Sequence, residues 1–119
     1  MKTYNRHQLQ EIKFDDDYTR EAAGQDSVFI QQYPDFATYA RFMNARYSGD
    51  IEEQAVIIRT MLKNSDGTPL TTDNGRPITD PDLSIDPVVM LKIITGVADY
   101  FLAFGTRNLT PASQVPNTN

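Results

Sequence analysis

Carboxylates are the side chains in this sequence that are most able to carry chemistry. The densest group, Asp15-Asp16-Asp17, is one continuous run. General acid–base or metal chemistry would require such groups to converge from a folded frame, and adjacent residues in a loop do not ensure this. Runs of like charge usually face water. We therefore interpret this run as a solvated loop.

A second acidic region, residues 64–85, has some features of a calcium-binding loop. Asp66-Gly67, Asp73-Asn74-Gly75 and Asp80-Pro81-Asp82 follow one another along it. The alternating oxygen ligands and the terminal bidentate glutamate of an EF-hand are missing. Turn formation explains the residues present, so the sequence predicts no metal site.

No recognisable catalytic motif occurs. His7 is the single histidine and lies in a polar stretch, with no acid fixed beside it by spacing. The chain has no cysteine, which removes thiolate nucleophiles and disulfides. Nucleophile-elbow, zinc-protease and phosphate- or dinucleotide-binding glycine motifs are also missing. We expect a protein that is not an enzyme and needs no cofactor.

Aromatic residues and arginines in residues 36–47 could stack on bases and contact phosphates; they are Phe36, Tyr39, Arg41, Phe42, Arg46 and Tyr47. Helical spacing favours core packing for Phe36, Tyr39 and Tyr47 instead. The formal net charge of -5 also opposes nucleic-acid binding. From Asp50 onward acids exceed bases, so an electrostatically attracted partner of that half would be basic.

Residues 1–26 form a polar N-terminal segment in which the alternation from Leu9 to Phe14 would allow one edge strand. The run 27–33 predicts a strand that ends at Pro34. Helices are predicted over 35–47 and 50–63, because Asp35 and Asp50 are good N-caps and Ser48-Gly49 interrupts the pattern. So short a connection predicts a helical hairpin.

The run 86–104 predicts a helix that is apolar nearly all round. Asp86 and Gly105 supply the start and stop signals. A narrow polar stripe interrupts it, formed by Lys92, Thr95, Gly96 and Asp99. Such a helix must be covered on nearly every side. It is short for a membrane span and carries charges, and residues 1–10 lack the apolar core of a signal peptide, so we expect a soluble protein that is not exported.

The connection 64–85 contains an internal repeat. Asp66-Gly67-Thr68-Pro69-Leu70-Thr71 is followed by Asn74-Gly75-Arg76-Pro77-Ile78-Thr79. Each unit predicts a turn and an extended arm, which one aliphatic residue, Leu70 or Ile78, can fix to the core. The prolines remove ladder donors, so a hairpin here would be short.

Together these elements predict a mainly α fold with a minor β element. A single helical domain of about three helices would occupy 27–105, and 106–119 would be a flexible tail. The predicted buried residues are Val28, Ile30, Phe36, Tyr39, Met43, Ile58, Leu62, Leu91, Ile94, Val97, Ala98 and Phe101.

This order of elements resembles the tail assembly chaperones of long-tailed, siphovirus-like bacteriophages. The matching pieces are Val28-Phe29-Ile30, Pro34-Asp35-Phe36-Ala37, the helix end running from Met61 through Asp66-Gly67-Thr68-Pro69-Leu70-Thr71, and the closing apolar helix. The resemblance covers roughly residues 28–104, and the second turn unit departs from the family pattern. It implies a non-catalytic protein of the host cytoplasm that binds the tape measure protein and the tail tube protein during virion assembly. It also implies that a longer, frameshifted product can exist.

A different class of function is a structural virion component, such as a head–tail connector or baseplate subunit, that forms a ring through the apolar helix. In either case the surplus of apolar residues predicts that this helix serves both its own core and an intermolecular contact, to a partner or to further copies of the chain. Its opposite sides would be Val89 with Leu102 and Leu91 with Ile94. The predicted contact residues are Val89, Lys92, Ile93, Gly96, Tyr100 and Leu102, with Asp66, Gly67, Pro69 and Leu70 in the loop.

Calcium, magnesium and zinc should each leave the melting temperature unchanged, because the sequence offers no convergent ligands. Thermal denaturation with and without each ion tests this prediction. A reproducible stabilisation that disappears on replacing Asp66, Asp73 or Asp80 would contradict it.

Overall fold

The computed structural model describes residues 7–109, and the side chains of residues 7–103. This part of the chain is mainly α with a minor β element, so the predicted fold class is confirmed. In chain order the elements are β1 (Leu9–Lys13), α1 (Asp17–Ala23), β2 (Ser27–Gln31), α2 (Phe36–Ser48), α3 (Ile51–Met61) and α4 (Pro87–Leu109). Residues 110–119, the greater part of the predicted tail, lie outside the described residues, and residues 106–109 belong to α4.

Short polar side chains begin the helices of the hairpin as the sequence predicts. The Asp35 carboxylate accepts the backbone N–H of Thr38 at the start of α2, and the Asp50 carboxylate accepts that of Glu53 at the start of α3. Gly49 ends α2 in the left-handed region at φ 75°. The helical hairpin therefore follows from local signals.

The structure adds one helix that the sequence did not predict. Asp16 caps α1, and its carboxylate accepts the N–H and the hydroxyl of Thr19. Asp17 is the first helical residue, so the acidic run is a helix start and not a loop. Asp15 and Asp17 are nevertheless solvent-exposed, as expected. Periodicity could not reveal α1, because only Thr19 of its seven residues is buried.

β1 and β2 form an antiparallel pair in which Ile12 lies opposite Val28. Isolated β-bridges extend this pairing into the long connection. Lys63 pairs with Phe29 on one side and with Pro69 on the other, and Thr71 pairs with Pro77. The repeated units therefore fold as two short turns with arms, as predicted. Leu70 is buried and Ile78 is half-buried against the core, which confirms that these aliphatic residues fix the arms.

The two prolines occupy positions at which no backbone N–H is required as a hydrogen-bond donor. On either side of Pro69, the hydrogen bonds are donated by the backbone N–H groups of Asn64 and Leu70, at 2.7 and 3.0 Å. The same pattern surrounds Pro77. Each arm therefore pairs through a single bridge, in agreement with the expectation of short hairpins.

The core forms where one broad face of α4 meets β1, β2, α2 and α3. Most of the predicted core is buried, namely Val28, Ile30, Ile58, Leu62, Ile94, Val97, Ala98 and Phe101, and Tyr39 and Met43 are half-buried. Phe36 and Leu91 were wrongly assigned, since they are 81% and 51% exposed. Buried residues that the prediction left out include Ile12, Phe14, Phe42, Ala45, Ile57 and Met90.

Helix α2 presents a different face to the core from the one predicted. Phe42 packs edge-to-face on Phe101 with ring centroids 5.6 Å apart, and Tyr39 lies 5.1 Å from the same ring. Phe36 precedes Phe42 by six positions, which is about 240° around a helix. It therefore points to solvent, and Tyr47 is exposed as well. Core packing is thus the wrong explanation for Phe36 and Tyr47.

A buried polar residue helps to hold the two helices of the hairpin together. The Gln54 amide nitrogen donates to the carbonyls of Ala45 and Asp50, each at 3.2 Å, while its Oε1 atom has no hydrogen-bond partner. Both accepting carbonyls lie near the turn between α2 and α3. The side chain therefore fixes the geometry of the turn from within.

Helix α4 departs from prediction at its end and along its polar stripe. It continues through Gly105 to Leu109, so Gly105 does not stop it. Lys92, Thr95 and Asp99 are exposed as expected. Gly96 instead faces β1, where a Cβ atom would lie 2.6 Å from Cγ2 of Ile12. Glycine at this position allows strand and helix to approach closely.

Truncation of two residues on α4 should give opposite results. Phe101→Ala should lower the free energy of unfolding by about 3–5 kcal/mol, because the ring is fully buried between Tyr39 and Phe42. Leu91→Ala should cost less than about 1 kcal/mol, because Leu91 is half exposed and lies about 105° from the centre of the buried face. Urea denaturation of both variants measures this. Equal losses would contradict the orientation of α4.

Candidate partner-binding cleft

Helix α1, the loop arms and the first turns of α4 enclose a half-open cleft of about 290 Å³. Its floor is apolar, and every floor residue belongs to the core and is at most 8% exposed. The floor consists of Phe14, Val28, Leu62, Leu70, Val89 and Ile93. Ala22 and Ala23 of α1 form one wall, and Ile78 and Ile85 of the long connection form the other.

The rim of the cleft is polar and acidic. Thr71, Thr72 and Ser84 contribute hydroxyls, while Asp73 and Asp86 contribute carboxylates. Among the lining residues in the described part of the chain, these two aspartates are the only charged ones. The arrangement suits an apolar group that carries a cation or a hydrogen-bond donor beside it.

Arg59 holds the loop wall in place. From α3 its guanidinium donates to three backbone carbonyls, those of Ile78 at 2.8 Å, Asp80 at 2.7 Å and Leu83 at 3.0 Å. A planar guanidinium can satisfy several acceptors at once, which an ammonium does less well. The Arg59 side chain therefore holds in place residues 78–83, which form no β-bridge of their own.

Polar contacts at the surface join α1, the opposite wall, to α4. The Tyr18 hydroxyl donates to Oδ2 of Asp86 at 2.9 Å. Lys92 lies 3.6 Å from a carboxylate oxygen of Asp15 and 3.7 Å from one of Asp16. Exposed ion pairs of this kind contribute little to stability. The anchoring of this wall is therefore weaker than that of the floor.

The acidic group at the start of α4 is held in its ionised form. The hydrogen bond from Tyr18, together with those from the N–H groups of Val88 and Val89, lowers the pKa of Asp86. A carboxyl whose pKa is lowered by folding stabilises the fold above its ordinary pKa, and this contribution disappears as the pH falls through the lowered value. At neutral pH the rim therefore carries the negative charge of Asp86.

Three of the sequence-predicted contact residues meet in this cleft. Leu70 comes from the first loop arm, whereas Val89 and Ile93 come from α4. They form the floor and are not part of an exposed helix face. Phe14, Asp73 and Ile85 also line the cleft and were not predicted as contact residues. For Phe14 the alternation of apolar residues at Ile12 and Phe14 was an available signal. Asp73 and Ile85 had none, because the pairing of distant loop segments leaves no pattern in the sequence.

The other predicted contact residues lie elsewhere. Tyr100 is half-buried and donates its hydroxyl to the carbonyl of Gln32 at 2.6 Å, and Gly96 is held against β1. Lys92 is exposed beside the acidic run, and Leu102 is 64% exposed. Asp66 stabilises its own turn by accepting the N–H of Thr68, Gly67 has φ 89°, and Pro69 is exposed in its arm.

The partition of α4 into two sides also differs from prediction. Val89 and Ile94 are both buried, whereas Leu91 and Leu102 are both exposed. Polar substitutions at Val89 or Ile94 are therefore expected to affect folding, whereas substitutions at Leu91 or Leu102 would affect only a surface contact. Val88 joins the exposed pair, being 41% exposed.

The described residues contain no group of three or more acidic or histidine side chains arranged to hold a metal ion. His7 is exposed near the start of β1. None of the described helices is long and apolar enough to cross a membrane. Comparisons with protein-family models, curated proteins and solved structures found nothing similar to this chain.

Replacing Arg59 by methionine should release the loop wall while preserving packing of the aliphatic stem. Amide hydrogen exchange over residues 77–84 should become faster, and the free energy of unfolding should fall by about 1–3 kcal/mol, because three carbonyls lose a charged donor. Arg46→Met, at an exposed position on α2, is the matched control. Unchanged exchange in Arg59→Met would show that the loop is held by other contacts.

Proposed function

We propose that this protein is a non-catalytic binding protein that holds an apolar segment of another protein during virion assembly. The observation that carries the proposal is the cleft with an apolar floor and a polar, acidic rim, whose floor unites Leu70 with Val89 and Ile93. The resemblance to phage tail assembly chaperones suggests the tape measure protein as the main partner and the tail tube protein as a second. The site of action would be the host cytoplasm.

The dimensions of the cleft suit temporary binding. Its volume of about 290 Å³ is at the lower end of ligand pockets, so it can accept one or two side chains but not a large cofactor. Binding through few side chains gives modest affinity, because only part of the contact energy survives the cost of association. A protein that must release its partner when the tail forms benefits from such weak binding.

A ring-forming virion component would use α4 as its interface. Most of the apolar circumference of α4 is already buried within the chain. Among its residues with described side chains, the exposed apolar remainder is Val88, Leu91, Leu102 and Ala103, around Thr95 and Asp99. This remainder is interrupted by polar residues. It therefore supports a ring interface less well than the cleft supports partner binding.

Coexpression with the tape measure protein of the same phage genome should raise the soluble fraction of that protein. Ala22→Leu, which adds bulk to the wall of the cleft at an exposed position, should reduce this effect. Ala103→Leu makes the same change at an exposed position of α4 outside the cleft and should have no effect. Soluble and pelleted tape measure protein are quantified for each variant, with thermal melts to confirm folding. No gain in solubility with the unmodified chain would contradict the proposal.

Mass spectrometry of purified virions separates the two classes of function. A chaperone should be absent from the particle, whereas a ring component should be present in fixed proportion to the major tail proteins. Its presence at that level would overturn the chaperone proposal.

A further inference from the structure

We infer that the cleft selects peptide segments in which aliphatic side chains stand directly beside a lysine or arginine. The inference rests on the proposed function, since it defines which segment of a partner the same site would take. The floor supplies the apolar selectivity, and the two rim carboxylates supply the preference for a cation.

The size of the cleft limits what can occupy it. A volume of about 290 Å³ over a floor of buried aliphatic and aromatic carbon matches one or two aliphatic side chains. The opening toward solvent lets the chain that carries those side chains pass across the mouth. A short stretch of polypeptide meets both conditions.

The charge at the mouth is of one sign. Asp73 is exposed in the second turn of the connection, and Asp86 stands at the start of α4, while the lining of the described cleft includes no lysine or arginine. A glutamate or aspartate beside the apolar anchor would meet like charge, whereas a lysine or arginine would meet opposite charge. The excess of acidic over basic residues in the second half of the chain adds a long-range attraction for positively charged segments.

The two aspartates differ in what else they do. Asp86 also caps α4 and accepts the Tyr18 hydroxyl, so replacing it would disturb the fold. Asp73 lies in an exposed turn, where asparagine is equally suited to the backbone conformation. Asp73→Asn therefore removes one rim charge without removing a helix cap. Asp82→Asn makes the same change in the same connection at an exposed residue that does not line the cleft.

The test uses the isotope-labelled full chain and three capped peptides of the sequence Gly-Leu-Leu-X-Leu-Gly, with lysine, glutamine or glutamate at X. Titrations followed by NMR should place the largest shifts at Ala22, Leu70 and Val89. The lysine peptide should bind roughly two- to fivefold more tightly than the glutamine peptide, as expected for exposed charge pairs, and the glutamate peptide should bind most weakly. High salt should reduce the preference.

Asp73→Asn should reduce the ratio of lysine-peptide to glutamine-peptide affinity, and Asp82→Asn should leave it unchanged. Equal affinities for the three peptides, shifts outside the cleft, or absence of binding would overturn the inference. Because these peptides contain no phage sequence, the result is independent of the coexpression experiment. A gain in tape measure solubility without a lysine preference would therefore refute the inference alone, and the reverse result would refute the proposed function alone.

Discussion

Burial of one broad face of α4 is the constraint on which the rest of the structure depends. Phe101 is fully buried and contacts Tyr39 and Phe42, and Val97 in the preceding turn is also fully buried. The sheet approaches the same helix closely at Gly96. A two-stranded sheet alone is marginal in water, so β1 and β2 need this helix to remain folded. Helices α1, α2 and α3 and strand β1 all pack against α4.

The cleft is a consequence of how the long connection returns to α4. Two turn units bring Leu70 and Ile78 to the core, and Arg59 then holds the carbonyls that follow. Because these arms pair through single bridges, they cover the floor without closing over it. The polar residues that punctuate the turns become the rim. The turns and hydrogen bonds that satisfy the backbone of the connection therefore also leave an apolar floor bordered by carboxylates.

Local chemistry explains which parts of the structure could be predicted from the sequence. The caps at Asp35 and Asp50, the break at Gly49 and the fixing roles of Leu70 and Ile78 depend on neighbouring residues, and each was predicted correctly. The orientation of α2 depends instead on where Phe101 lies. Helical spacing favoured Phe36, Tyr39 and Tyr47, and it could not show that Phe42 would face Phe101 instead.

The candidate site was predictable only in part for the same reason. Val89 and Ile93 were predicted as contact residues of the apolar helix and Leu70 as one of the loop unit, but their meeting in one cleft requires the fold of the connection. The role of Arg59 had no signal, because its acceptors are backbone carbonyls on a distant loop. Asp73 resembled an ordinary turn residue. Long-range backbone contacts leave little trace in residue type.

The order in which the chain is synthesised gives the contacts of α4 a further meaning. Tyr18 bonds to Asp86 and Gln32 to Tyr100, each pair 68 positions apart. The strands leave the ribosome well before the helix that covers them, and contacts of such separation form slowly. Until α4 emerges, the apolar faces around Val28 and Ile30 lack the cover that this helix provides. During its own synthesis the nascent chain therefore exposes the kind of surface that chaperones bind in other proteins.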